Sequence, residues 1–383
     1  MLWGAGDQEA PVHISAAFDS GNIEVLDASD PTQVKLAIRK DAGDEHMQWF
    51  HFRVAGARGL PCTFRLTNAH AASYPKAWTG YRAVCTSDRK TFSRVQTAYE
   101  DGALVIRHTP TSDLVWYSYF APYSLEQHHD LLARCQASPF ARVDRLGATA
   151  DGRDLDRVTV GTGERQLWVI ARQHPGESMA EWWMEGFLAR LLDPADALAR
   201  SLRAAATFHV VPNMNPDGSV RGHLRCNATG ANLNREWHAP TLERSPEVLH
   251  VLREMEATGC DLCLDVHGDE ELPYNFISGG EGIPGWSARL ARLDAVFRAE
   301  YVRANPDFQI EHGYPIDAPG SANLSMCTNA VAQRFDCLAM TLEMPFKDNA
   351  NAPDRHHGWC PQRSKRLGAS SLDPMAAVVH TLR

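Results

Sequence analysis

The stretch Gln166-Leu-Trp-Val-Ile-Ala-Arg172-Gln-His174-Pro-Gly-Glu177-Ser178 decides how the chain is read. Its first seven residues form a nearly unbroken apolar run, the writing of a strand buried on both faces. Pro175-Gly176 makes a turn. Ser178-x-x-Glu181 then has the pattern of a capping box, opening a helix over 178–193 with Trp183, Phe187, Leu188 and Leu191 along one stripe. Strand, tight turn and helix in succession form the repeating unit of a parallel sheet covered by helices. Apolar runs at 207–212, 261–267 and 337–345 repeat the theme. Residues 123–383 are therefore expected to fold as an α/β domain on a mostly parallel mixed sheet.

Before residue 122 the pattern differs. Gln48-Trp-Phe-His-Phe-Arg-Val54 alternates, with Phe50, Phe52 and Val54 on one face and His51 and Arg53 on the other, the period of two that marks a half-buried strand. Further short runs lie at 23–26, 35–38, 62–66, 103–108 and 115–120, with Asp-Ala-Gly-Asp and Glu-Asp-Gly turns between. Short strands without helices predict an antiparallel β-sandwich over residues 1–122. The length, 383 residues, agrees with more than one domain when a typical domain has about 150.

Composition narrows the function. Hydrophobic residues at 44% and charged residues at 22% are those of an ordinary globular chain. A net charge of −9 argues against holding nucleic acid by bulk electrostatics. No apolar run is long enough to span a membrane. The opening residues MLWGAGDQEAPVHIS have neither a cationic n-region nor an apolar h-region, so no secretory signal is expected and the cytoplasm is the expected compartment. Nine widely spaced cysteines suit buried reduced thiols better than a disulfide framework.

The chemistry sits where the strands end. His174 and Glu177 bracket a turn that lets an imidazole and a carboxylate converge on one point; alone, the pair would as readily be a locally bonded loop histidine. His267 closes the run 261–267 and precedes Gly268, which permits close backbone approach. Two neighbouring ligands and a distant third have the layout of a catalytic zinc site with an open coordination position. Glu343 interrupts the apolar run 337–345, where a carboxylate must be paired or useful. Near a metal it can act as general base; the plainer reading is an ion pair with Lys347 or a neighbouring arginine. Asn213-Met-Asn-Pro-Asp-Gly218 reads as a turn, and 221–237 as a long loop carrying Arg221, Arg225 and Arg235. Arginines held there suit capture of a carboxylate or an oxyanion, although a solvated basic loop is the simpler case. His174, Asn213, His267 and Glu343 all fall near the C-terminal ends of predicted strands, the edge where open parallel sheets place their sites.

Together His174-Pro-Gly-Glu177, Asn213-x-Asn-Pro-Asp-Gly218, Arg225, Asn234-Arg235, His267 and Thr341-Leu-Glu343 resemble the zinc metallocarboxypeptidases, a family whose two-His, one-Glu zinc set is well known. Phe18-Asp-Ser-Gly-Asn22, Gln48 to Val54 and Ala121-Pro-Tyr-Ser124 resemble the cytosolic carboxypeptidase subgroup, which includes the eukaryotic tubulin deglutamylases. The resemblance implies one Zn²⁺ on His174, Glu177 and His267, and Glu343 taking a proton from the metal-bound water. It also implies Arg225 steadying the oxyanion, and Asn234 with Arg235 clamping the terminal carboxylate of a peptide or protein substrate. Hydrolysis of the C-terminal peptide or isopeptide bond follows, with a preference for C-terminal glutamate. That preference needs a locally positive cleft. One departure stands out: the family usually has Asp where this chain has Asn232, and an amide orienting a ligand histidine raises its basicity less. Tyr314 is the candidate for the family's substrate-capping tyrosine.

Two other functions compete: an aspartoacylase-like amidohydrolase of small acylated amino acids, and a peptide-binding module with a dead site. The Asn234-Arg235 clamp and the sandwich favour the peptidase over the first, and the full ligand set with Glu343 disfavours the second. Cys260-Asp-Leu-Cys263 has redox spacing but lies in an apolar run, so buried structural thiols are expected. His128-His129 and His356-His357 are expected on the surface.

Overall fold

The computed structural model describes residues 12–383. The opening stretch read for a leader, and the start of the predicted sandwich at residue 1, thus lie outside the described residues up to position 11. The first part of the chain builds two five-stranded sheets. One runs in the order His13–Ser15, His51–Ala55, Leu114–Ser118, Val84–Thr86, Ser93–Arg94, and the other in the order Glu24–Asp27, Val34–Ala37, Cys62–Leu66, Ala103–His108, Gln96–Glu100. All pairings are antiparallel except that of Val34–Ala37 with Cys62–Leu66. The sheets meet through aromatic rings: Phe64 of one lies 5.5 Å from Phe52 and 4.9 Å from Tyr117 of the other. Phe50, Phe52 and Val54 are fully buried, as their alternation predicts. The strand itself starts only at His51, and the Gln48 side chain binds the backbone of Tyr74, accepting from its N–H at 2.8 Å and donating to its carbonyl at 3.2 Å.

The second part is a seven-stranded sheet in the order Ala141–Ala148, Asp154–Val160, Ala206–Val211, Arg165–Ala171, Leu262–Val266, Leu338–Glu343, Phe276–Ser278. The four strands from Ala206–Val211 to Leu338–Glu343 are parallel, and antiparallel strands close both edges. The apolar runs are apolar because both faces are covered. Leu167, Val169 and Ala171 enter one core with the helices Met179–Leu191, Pro361–Ser370 and Leu372–Val379, while Trp168 and Ile170 enter another with Pro246–Thr258 and Cys327–Phe335. The antiparallel strands Ala141–Ala148 and Asp154–Val160 on one flank escape the apolar pattern: Arg and Asp interrupt both, and the outer one, Ala141–Ala148, is mostly half-buried and carries a bulge between Arg145 and Gly147.

Three local expectations change. Ser178 does not cap the helix at Met179. Its φ of −63° and ψ of −17° are already helical, and its hydroxyl donates to Ala121 O at 2.9 Å. Nor is the helix amphipathic: Ala180, Glu181, Trp182 and Met184 are buried along with the predicted stripe, because the sandwich covers the side that solvent would otherwise see. The Asn213–Gly218 turn opens into a short helix, Pro216–Arg221, capped by Asn215, whose Oδ1 accepts from Gly218 N.

His128 is the third. It is buried, whereas His129 is exposed, because Glu181 Oε1 lies 2.6 Å from its Nδ1 and Asp156 Oδ2 3.6 Å from its Nε2. Burial alone would lower its pKa; Glu181 and Asp156 outweigh burial and push it up to about 9. A folded-state pKa above the unfolded value near 6.5 adds stability that is fully present below about pH 6.5 and is lost as pH rises through about 9, an effect on the order of 3 kcal/mol. We expect the wild-type denaturation midpoint to fall between pH 7 and 9.5, with the His128→Gln variant losing that part of the slope. Parallel pH profiles would remove the imidazolium from the account.

Candidate metal centre and active site

Arg172 ends its strand in the left-handed region, φ +59°, a conformation that a side chain bigger than Gly holds only when its surroundings fix it. Its guanidinium provides the fixing. Nε donates to Pro175 O at 3.0 Å, and Nη1 donates to Tyr123 O at 2.9 Å and to Glu181 Oε2 at 2.6 Å. The chain is thereby reversed at once, and His174 and Glu177 turn inward. Gly176 has no room for a side chain: a Cβ there would sit 2.8 Å from Leu224 O, the atom that accepts its N–H at 2.9 Å. Gly268 is equally confined, with Met179 Sδ 2.5 Å from any added Cβ, and its N–H donates to Glu177 Oε2 at 3.1 Å.

The register of the central strands brings in the rest. Asp265 pairs with Thr341 and Val266 with Leu342, which sets His267 beside Glu343 at the sheet edge. His174 Nδ1 lies 2.7 Å from Glu177 Oε1, His267 Nδ1 lies 2.8 Å from Glu177 Oε2, and the two Nδ1 atoms are 3.2 Å apart. Both outer nitrogens are occupied: His174 Nε2 by Asn232 Oδ1 at 3.0 Å and His267 Nε2 by Asp265 Oδ2 at 2.9 Å. Oriented so, each ring donates outward and aims a lone pair inward. Two lone pairs and a carboxylate facing one another in a buried pocket fit a divalent cation, and zinc takes such nitrogen and oxygen donors. Burial first, and then the Arg225 charge, holds the His174 pKa down to about 3, which favours the neutral ligand form. Burial acts to lower the His267 pKa too, but Asp265 and Glu177 outweigh it and raise it well above the usual value; a proton then competes with a metal for that nitrogen.

Glu343 is buried and has no ion-pair partner among the described residues. Lys347 instead donates to Thr79 O at 3.0 Å. Tyr314 OH lies 3.2 Å from Glu343 Oε1 and 2.6 Å from Asp269 Oδ2, while Glu343 Oε2 has no hydrogen-bond partner. Burial, the largest influence, raises the pKa of this carboxyl well above the usual range. Of the loop cations, Arg221 turns outward to Asp151, 2.9 and 2.7 Å from its two oxygens. The Arg225 guanidinium makes no hydrogen bond or ion pair among the described residues and lies 5.7 Å from the Tyr74 ring. Arg235 is exposed, with Nη1 donating to Asn234 O at 2.7 Å. Asn234 is buried and its Oδ1 accepts from Cys327 N at 2.8 Å. Asn213 does not join the ligand cluster: its amide donates to Glu181 at 3.1 Å and to Ser219 at 3.2 Å.

Likeness to known proteins fits this geometry. A cytosolic carboxypeptidase N-terminal domain matches residues 14–120 and a zinc carboxypeptidase domain matches residues 128–272. A metallo-carboxypeptidase structure from Burkholderia cenocepacia superimposes with a TM-score of 0.94 at 45% identity, over 97% of this chain and 100% of that one. The chain belongs to the zinc carboxypeptidase family. A metallo-carboxypeptidase from Pseudomonas aeruginosa, in complex with (2-guanidinoethylmercapto)succinic acid, matches equally, with a TM-score of 0.94 at 47% identity over 97% of this chain and 100% of that one. Mouse cytosolic carboxypeptidase 4 is 28% identical over 68% of this chain, which spans only 28% of the mouse protein. Among zinc carboxypeptidases, peptide hydrolysis takes precedence over the amidohydrolase and binding-module readings.

Sequence reasoning missed several polar residues here. Asp265 was open to the logic applied to Glu343, since it too is an acid inside an apolar run. Gln173, which donates to Asp265 Oδ2 at 2.6 Å and accepts from Trp237 Nε1 at 2.8 Å, carried no such mark. Asp269 and the buried Glu270 become visible only once His267 is placed. We expect Asp265→Asn to weaken zinc binding roughly 10- to 100-fold, measured by chelator competition. Unchanged affinity would mean that the His267 ring needs no carboxylate behind it.

Proposed function

We propose that this zinc carboxypeptidase removes the C-terminal residue of peptides or proteins, with one Zn²⁺ per chain held by His174, Glu177 and His267. The observation that carries the reading is the convergence of three buried donors beside a carboxylate oxygen without a partner, Glu343 Oε2. Bound there, zinc supplies Lewis acidity that polarises the scissile carbonyl and acidifies water. Glu343 takes the proton of the attacking water at Oε2 and delivers it to the leaving amine; Tyr314 steadies Oε1. Arg225, whose guanidinium makes no hydrogen bond or ion pair among the described residues, holds the developing oxyanion. Asn234 and Arg235 receive the substrate's terminal carboxylate, which restricts cleavage to the last amide, peptide or isopeptide. Tyr314 covers the bound end. Residues 1–122 and 123–383 serve as the sandwich and catalytic domains.

C-terminal glutamate is the residue we propose the enzyme favours. Arg225 stands close enough to Arg235 that, after burial, its charge lowers the Arg235 pKa, so two cations lie together on a chain of net −9. All nine cysteines are buried free thiols, which together with the cytosolic carboxypeptidase kinship supports a cytoplasmic site of action.

Glu343→Gln should retain zinc and lower kcat roughly 10²- to 10⁴-fold, assayed by residue release and metal analysis; near wild-type turnover would take the proton-transfer role from this residue. Peptides differing only in a final Glu, Lys or Leu, followed by mass spectrometry, should be trimmed fastest at Glu. Equal rates would overturn the preference, and inertness at every end would overturn C-terminal trimming itself. Asn232→Asp should tighten zinc binding by about tenfold, seen in the same chelator competition.

A further inference from the structure

The segment that carries Arg225 is held by the sandwich as well as by its own part of the chain, where Leu224 O accepts from Gly176 N–H at 2.9 Å. Asp41, buried between the two halves, accepts three successive backbone N–H groups: Leu224 at 2.6 Å through Oδ1, and Arg225 and Cys226 at 2.7 and 2.8 Å through Oδ2. Around it, Ala42 N–H donates to His223 Nε2 at 3.0 Å, the Asn22 amide donates to Gly222 O at 2.7 Å, and Ser20 N–H donates to Val220 O at 2.9 Å. The side chain is held from the same direction. Tyr74, itself pinned by Gln48, presents its ring to the Arg225 guanidinium at 5.7 Å, within the range of a cation–π contact. A carboxylate that gathers consecutive N–H groups fixes backbone direction as a helix cap does, and here it fixes the residue from which the guanidinium departs.

We propose that Asp41 is a positioning residue for the hydrolysis: the sandwich sets the backbone of Arg225 through Asp41 and its guanidinium through the Tyr74 ring, so that the oxyanion donor is prealigned before substrate arrives. The inference rests on the reading of Arg225 given above and assigns a catalytic reason for the sandwich to be joined to this enzyme. Asp41 touches no reacting atom. Its loss acts through the placement of a donor, and a misplacement of an ångström is known to cost on the order of 10²-fold in rate.

The test is a double-mutant cycle in the zinc-loaded full chain, with residue release, zinc content and thermal midpoint measured together. Asp41→Asn keeps the shape of the side chain but turns an amide nitrogen toward N–H groups. It should lower kcat roughly 10- to 100-fold with little change in KM and full zinc occupancy. In an Arg225→Ala background the same change should cost almost nothing further, which loss of structure alone would not produce. Full multiplication of the two losses would overturn the inference, as would wild-type turnover of Asp41→Asn beside a crippled Arg225→Ala. Wild-type turnover of Arg225→Ala would instead remove the reading of Arg225, and the inference with it. Should Asp41→Asn not fold, Tyr74→Leu carries the same cycle, with the same non-additivity expected and the same multiplication overturning it.

Discussion

A single buried guanidinium organises the active end of the sheet. Arg172 is locked by an ion pair with Glu181, and that carboxylate is shared with His128 and Asn213. Desolvating such charges is costly unless every partner is present. The network therefore has one good arrangement, and in it the chain reverses immediately after the strand. The turn from His174 to Glu177 inherits its direction from this arrangement, as does the contact with Tyr123 O at the junction of the two halves.

That direction decides the chemistry open to the site. Two imidazoles whose outer nitrogens are bonded to Asn232 and Asp265 have only their inner lone pairs left, and both rings are buried. Charges of both signs meet in the cleft. The Tyr314 hydroxyl lies against Asp269 and Glu343, while Glu270 acts on Arg225, which in turn acts on Arg235. A polar substrate end therefore meets a directional field rather than a neutral slot, and its low-dielectric walls strengthen that field.

How much of this could be read from the letters follows from where each residue draws its constraint. The four parallel strands were legible because double burial leaves an apolar run, and Glu343 because it breaks one. The ligand turn and His267 were legible as family motifs at strand ends. The antiparallel strands Ala141–Ala148 and Asp154–Val160 were not, since charged residues interrupt both and a bulge breaks the alternation of the outer one. Ser178 looked like a helix cap because local rules know nothing of Ala121, which claims its hydroxyl. His128 looked like a surface residue because its partners, Asp156 and Glu181, are remote in sequence. Asp41 was legible only as a turn residue, because its partners are the backbone N–H groups of residues 224–226, far along the chain.

The closeness of Gly176 to Leu224 has a bearing on how such a scaffold could be adapted. With backbone against backbone, the wall that carries His174 and the wall that carries Arg225 are one rigid piece, and neither can widen without dragging the other out of alignment. The opposite rim is different: Ile310 and Ile316, on either side of Tyr314 in sequence, stand exposed on a stretch without regular secondary structure. New selectivity, whether acquired by drift or introduced by engineering, would enter through that rim, where bulk and charge can be exchanged while the reaction centre stays as it is.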